Sequence, residues 1–158
     1  MNRFMQESWE WVAALHGMRA GILDSLSDAE LGFNPGGENV SFGRLFVGMG
    51  EVEHSYIASL ETFEQDWSYR NTDAGLAASA SGLKPWFQAL DGRLEATVSA
   101  LSDEDLAKPV ARPGGNAMPV ELQLQVYMQA VFIFLGKAVV YLRAMNKPRP
   151  PYVDEFIG

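Results

Sequence analysis

Two histidines, His16 and His54, and no cysteine set the chemistry open to this 158-residue chain. Without thiols there is no disulfide, no cysteine nucleophile and no thiolate metal site. His16 flanks the apolar face of a helical segment, beside Val12 and Leu23. The expectation is a partly buried imidazole satisfied by one hydrogen bond. The alternative is a ligand contact, or an acid or base working near neutral pH with a partner from another helix. His54 lies nearly opposite the apolar stripe of its helix and is expected to face solvent, near Glu51. The carboxylates that could converge with either histidine are Glu51, Glu53 and Glu121. Zinc sites normally use at least three protein ligands, and two distant histidines plus a carboxylate is the most such a set offers. Gln125 and Gln129 stand one turn apart on an otherwise apolar helix, roughly in line with Arg143. Their line reads either as a solvated helix edge or as a polar strip orienting a small ligand.

The elements that must position these residues are helices. Phe4, Trp11, Leu15, Met18 and Ile22 recur at helical spacing and predict a first helix over about 2–26. The Asn-Pro-Gly-Gly run then forces a loop. Ser41 caps a second helix, about 41–67, with a stripe of Leu45, Met49, Val52, Tyr56, Leu60, Phe63 and Trp67. A third runs over about 82–101, with Pro85 in its first turn. Ser102 and Asp105 then form a cap and a short helical turn, and KPVARPGGNAMP reads as a rigid loop. The fourth helix, about 120–146, is apolar around much of its circumference, as befits the most buried member of a bundle or one that also meets a second subunit. The expected fold is all-α: one four-helix-bundle domain over 1–158.

Nearly half of the residues are apolar, enough for one real core, and the net charge is −8. An acidic surface repels phosphate backbones, so nucleic acid is excluded as a partner. The longest uninterrupted apolar run, AVFIFLG, is too short for a bilayer, and no signal peptide is read at the N-terminus. No membrane association and a cytoplasmic location are expected.

Three segments carry a family resemblance. GKAVVYLRAMNKPRPPY (136–152) ends the fourth helix, SFGRLFVGMGEVE (41–53) opens the second, and LSDEDLAKPV (101–110) leads to the fourth. Together, and in this order, they resemble the DinB-like superfamily, also called DinB/YfiT-like metalloenzymes. The resemblance implies a four-helix bundle that binds nickel, zinc or iron through three histidines. One comes from the second helix, and two, four residues apart, come from the fourth. It also implies low-molecular-weight-thiol chemistry in some relatives, and a homodimer. Here the corresponding positions carry Gly48, Ala130 and Phe134, none of which offers a ligand atom. The resemblance therefore implies a degenerate member with no metal and no cofactor. Its pocket candidates are His16, Gly48, Gln125, Gln129, Ala130, Phe134 and Arg143. The expected function is binding of a small, partly apolar molecule in the former active-site cleft. The alternatives are a metal- or thiol-dependent transferase or hydrolase with a relocated site, and a homodimeric scaffold.

Overall fold

A computed structural model describes residues 1–157. Eight α-helices are present among them: α1 Arg3–Glu7, α2 Trp9–Asp24, α3 Asp28–Leu31, α4 Phe42–Thr62, α5 Ala80–Ala100, α6 Asp103–Leu106, α7 Val120–Ala144 and α8 Pro151–Ile157. The all-α expectation holds. The simple four-helix bundle does not, because four short helices and a hairpin are added to the four long ones. The hairpin pairs β1 Pro109–Ala111 antiparallel to β2 Ala117–Pro119, with Val110 opposite Met118. It occupies the stretch expected to be a rigid loop. Gly114 and Gly115, at φ 89° and 80°, supply the left-handed turn that closes it.

Local chemistry sets the helix ends. Ser27 and Ser102 each form a reciprocal capping box, with Glu30 and Asp105. The Ser41 hydroxyl accepts from the Arg44 N–H, and Ser79 accepts from Gly82. The expected first helix breaks at Ser8, whose backbone leaves helical geometry between α1 and α2. The second helix stops at Thr62 rather than at Trp67, because Phe63 turns left-handed at φ 59°. The third begins at Ala80, which places Pro85 in the second turn, where its missing N–H removes one hydrogen bond of the helical ladder.

The long helices form a four-cornered ring: α4 packs on α5 and α7, and α2 packs on the same two from the opposite corner. Two glycines on α4 permit its close contacts. A Cβ at Gly50 would lie 2.3 Å from the Trp86 ring, and one at Gly43 would lie 1.7 Å from the Ala77 carbonyl oxygen. The most buried row of α4 is Phe46, Glu53, Ile57 and Leu60, rotated from the expected stripe, whose Leu45 and Val52 are only half-buried. Trp11 is likewise exposed rather than part of the core. By length and composition α7 could cross a membrane, but here eleven of its residues are buried against the rest of the chain.

Candidate metal centre

The ring of long helices encloses a polar cluster on its axis, and each helix contributes to it. His16 and Arg19 come from α2, three residues apart and so on one face. Glu53 comes from α4, Asp91 from α5 and Tyr127 from α7. Arg19, Glu53 and Tyr127 are almost wholly buried, His16 nearly so, and Asp91 reaches solvent on one side. Burial at this depth demands partners, since an unpaired charge in an apolar interior is costly.

Arg19 spans the two carboxylates. Its Nη1 donates to Glu53 Oε2 at 2.6 Å and its Nη2 to Asp91 Oδ1. The guanidinium lies over the Phe87 ring, its carbon 4.0 Å from the centroid. Asp91 Oδ1 also meets His16 Nδ1 at 2.9 Å, and His16 Nε2 meets the Tyr127 hydroxyl at 2.6 Å. Burial alone would raise the Asp91 pKa, but the His16 hydrogen bond and the Arg19 charge outweigh it and hold the group at about 2. Burial lowers that of His16, against the pull of Asp91. An ionised Asp91 beside a neutral imidazole fixes the tautomer: Nδ1–H donates to Asp91, and Nε2 accepts the Tyr127 proton. Burial, followed by the Glu53 charge, pushes the Tyr127 phenol well above its ordinary range, so it remains a donor.

Glu53 is the least satisfied member. Burial raises it to about 8 despite Arg19, with the nearby Asp91 charge adding to the rise. Its Oε1 is buried and has no hydrogen-bond partner. One ligand atom each from His16, Glu53 and Asp91 lie within 4.8 Å of one another, a group able to hold a metal ion. This overturns the expectation of a degenerate chain with no metal-capable set, and with it the function that rested on that loss. The tri-histidine positions do carry Gly48, Ala130 and Phe134, yet their substitution does not leave the bundle without a group able to hold a cation.

The other candidates lie elsewhere. Gly48, Ala130 and Phe134 line a groove of about 410 Å³ between α4 and α7. Gln125, Gln129 and Arg143 are exposed on α7. His54 is half-covered and stacks on Tyr69 at 3.6 Å between centroids, with Arg93 beside it. Glu51, expected to face away from the core, is buried and held by Arg44 at 2.6 Å. Glu121 pairs with Arg3 at the surface. Sequence reasoning placed His16 and Glu53 among the groups that could converge, but missed Arg19, Asp91 and Tyr127. Arg19 had a visible signal: a charge set between Leu15, Met18 and Ile22 on the apolar face of α2.

The DinB superfamily profile matches residues 14–129, which include His16, Arg19, Glu53, Asp91 and Tyr127. The chain belongs to the DinB superfamily. Solved structures agree on the DinB fold at low identity. A DinB-like protein of Bacillus subtilis is 15% identical, with TM-score 0.72, covering 90% of this chain and 97% of its own. One from Bacillus cereus is 19% identical, with TM-score 0.74 and 93% of both chains covered. YfiT of Bacillus subtilis, described as a probable metal-dependent hydrolase with an unusual four-helix-bundle topology, is 14% identical. Its TM-score is 0.74, with 94% of this chain and 91% of that one covered. No curated protein matches the sequence.

Proposed function

We propose that His16, Glu53 and Asp91 form a divalent-cation centre, and that the protein is a metal-dependent hydrolase of the DinB type. The observation that carries this is the buried, unpartnered Glu53 Oε1 facing a histidine and a second carboxylate. The donor set fits. One imidazole and two carboxylates suit zinc, manganese or ferrous iron. Arg19 balances the ionised Asp91, and a cation would draw the proton from Glu53 and pair with the carboxylate that results. The 2.9 Å between His16 Nδ1 and Asp91 Oδ1 is close to the ~3 Å separating neighbouring donors bound at about 2.1 Å to one ion. With Nδ1 as the donor atom, the imidazole would carry its proton on Nε2 and donate it to the Tyr127 oxygen, the outer partner that a ligating histidine needs.

A bound cation would supply a Lewis acid and lower the pKa of a water. The chain's own residues do the rest. Arg19 holds one oxygen of each carboxylate, and Tyr127 fixes the imidazole. Arg19 and Asp91 line a cavity of about 90 Å³ shared with Asp24, Lys84, Phe87 and Gln88. That volume takes ions and water, so a substrate would present only a small group there. YfiT's description as a probable metal-dependent hydrolase supports the same reading.

The test is metal content per chain after purification without chelator, then titration with zinc and manganese. One ion per chain is expected for the wild type, and none for His16→Ala or Asp91→Asn. Equal uptake by all three proteins would sink the reading. Exposed Phe132, Ile133 and Val140 on one side of α7 support a homodimer as a further part of this proposal, and the absence of cysteine is in keeping with a cytoplasmic setting.

A further inference from the structure

The axial cluster is shut off on one side and open on another. Toward the groove between α4 and α7, the rings of Phe87, Phe46 and Phe134 touch in series and fill the core behind Arg19. The side chains of Arg19 and Glu53 are 1% and 0% exposed, whereas that of Asp91 is 31% exposed. The opening is therefore the cavity of about 90 Å³ between α2 and α5, whose inner wall is Arg19 and Asp91. It has room for a few waters or for the end of a small organic molecule.

The side chains at this mouth differ in what they have left to give. Arg19 is held by Glu53 and Asp91, and Lys84 on α5 pairs with Asp24 on α2 at 2.9 Å. No cation lining the cavity is left for an acidic ligand, and the chain as a whole carries a net charge of −8. Ala20, Leu23 and Phe87 make the rest of the wall apolar. Gln88 is the remaining group. It stands three residues before Asp91 and four after Lys84, so it shares their face of α5. It is exposed and makes no hydrogen bond among the described residues. A primary amide donates and accepts without carrying charge, which suits the carbonyl of an amide or ester.

We infer that the substrate enters between α2 and α5, and that Gln88 orients it by a hydrogen bond to an uncharged carbonyl group. The substrate class is a small carboxamide or ester with no acidic group beside it. This rests on the cation centre proposed above. The reacting end lies toward Asp91, and the apolar part lies on Leu23 and Phe87. An acidic substituent would meet Asp24 and Asp91 and find no free cation, so the mouth selects against it.

The test uses the zinc-loaded full chain and two probes, butyrohydroxamic acid and succinic monohydroxamic acid. They share a metal-seeking carbonyl head and differ at the far end, a methyl group against a carboxylate. Calorimetry should find one butyrohydroxamic acid bound per chain, and an affinity for the succinic compound lower by about fivefold or more. Gln88→Leu should weaken butyrohydroxamic acid about fivefold, the loss of one hydrogen bond, with zinc uptake and melting temperature unchanged. Ala20→Leu, at the exposed rim of the cavity, should block the probe. Gly48→Leu, in the α4–α7 groove, should not. Equal or tighter binding of the succinic compound, or unchanged affinity in Gln88→Leu, overturns this inference and leaves the cation centre standing. So does a probe blocked by Gly48→Leu but not by Ala20→Leu, or one that the zinc-loaded wild type does not bind. Failure of the wild type to take up zinc overturns both.

Discussion

Asp91 Oδ1 receives two donors at once, Nδ1 of His16 at 2.9 Å and Nη2 of Arg19. This carboxylate is the only member of the axial cluster with substantial solvent contact, so it joins the buried group to the surface. A charge at the edge can remain ionised, while one at the bottom, Glu53, is driven toward its neutral form. That division of roles sets how the protein responds to pH.

The Glu53 pKa is raised in the folded chain to about 8, from an ordinary 4.5. The folded state therefore holds a proton that the unfolded state has released. Stability from this group is complete below about pH 4.5 and lost as pH climbs toward 8. His16 and His54, both lowered, act in the opposite sense, and their stability is lost only below about pH 6.5. Between pH 7 and 8 Glu53 acts without them. Metal-free protein should lose on the order of 1 kcal/mol per pH unit there. Urea unfolding across pH 6.5–9 measures this, and Glu53→Gln should flatten the slope.

Arg19→Met should be among the most damaging changes in the chain. It leaves the ionised Asp91 and the buried Glu53 carboxyl without their shared donor, at a cost of roughly 3–5 kcal/mol. Adding Glu53→Gln should cost little more, because without Arg19 the buried group is neutral in either form. A double-mutant cycle in urea reads the coupling directly. Strict additivity would mean that the pair does not act as a unit.

Much of this architecture was legible in the sequence. Four long apolar repeats, the caps at Ser41 and Ser102 and the Pro-Gly breaks follow from local rules that need no tertiary knowledge. The offset on α4 does not. Leu45, Met49 and Val52 form as good a stripe by spacing as Phe46, Glu53 and Ile57, and only packing against α5 and α7 decides which one turns inward. A glutamate in the inner row makes that choice look wrong until Arg19 is seen opposite. The cluster itself joins residues 16, 19, 53, 91 and 127, one or two per helix, so no local motif encodes it. The family resemblance pointed to histidine positions on α4 and α7. Glu53 of α4 stood among the carboxylates able to reach His16, but nothing local marks Asp91 of α5 as its second partner.

Close approach of helices makes a separate prediction. Gly50→Ala should destabilise by about 1–3 kcal/mol, because its methyl group would fall on the Trp86 ring and force the two helices apart. Gly48→Ala, two residues away and facing open space, should be neutral or slightly stabilising. Thermal denaturation of the two variants checks the contrast.

A second buried network should matter for folding but not for the centre. Gln123 Nε2 donates to Ser59 Oγ at 2.9 Å and to Gln65 Oε1, and the Gln65 backbone N–H donates to the Ala111 carbonyl of β1 at 2.8 Å. Gln123→Ala should cost about 1–3 kcal/mol by stranding the side chain of Gln65. Cation uptake should be unchanged once the protein is folded.

The most direct measurement is an anomalous difference map from crystals of the wild-type protein grown with manganese or zinc, collected near the absorption edge of the metal. The account predicts one peak per chain, bounded by His16, Glu53 and Asp91, and absent from crystals of Asp91→Asn. No peak in that cluster, or one only at surface carboxylates, would contradict the claim and leave the axial group as a buried ion-pair network centred on Arg19.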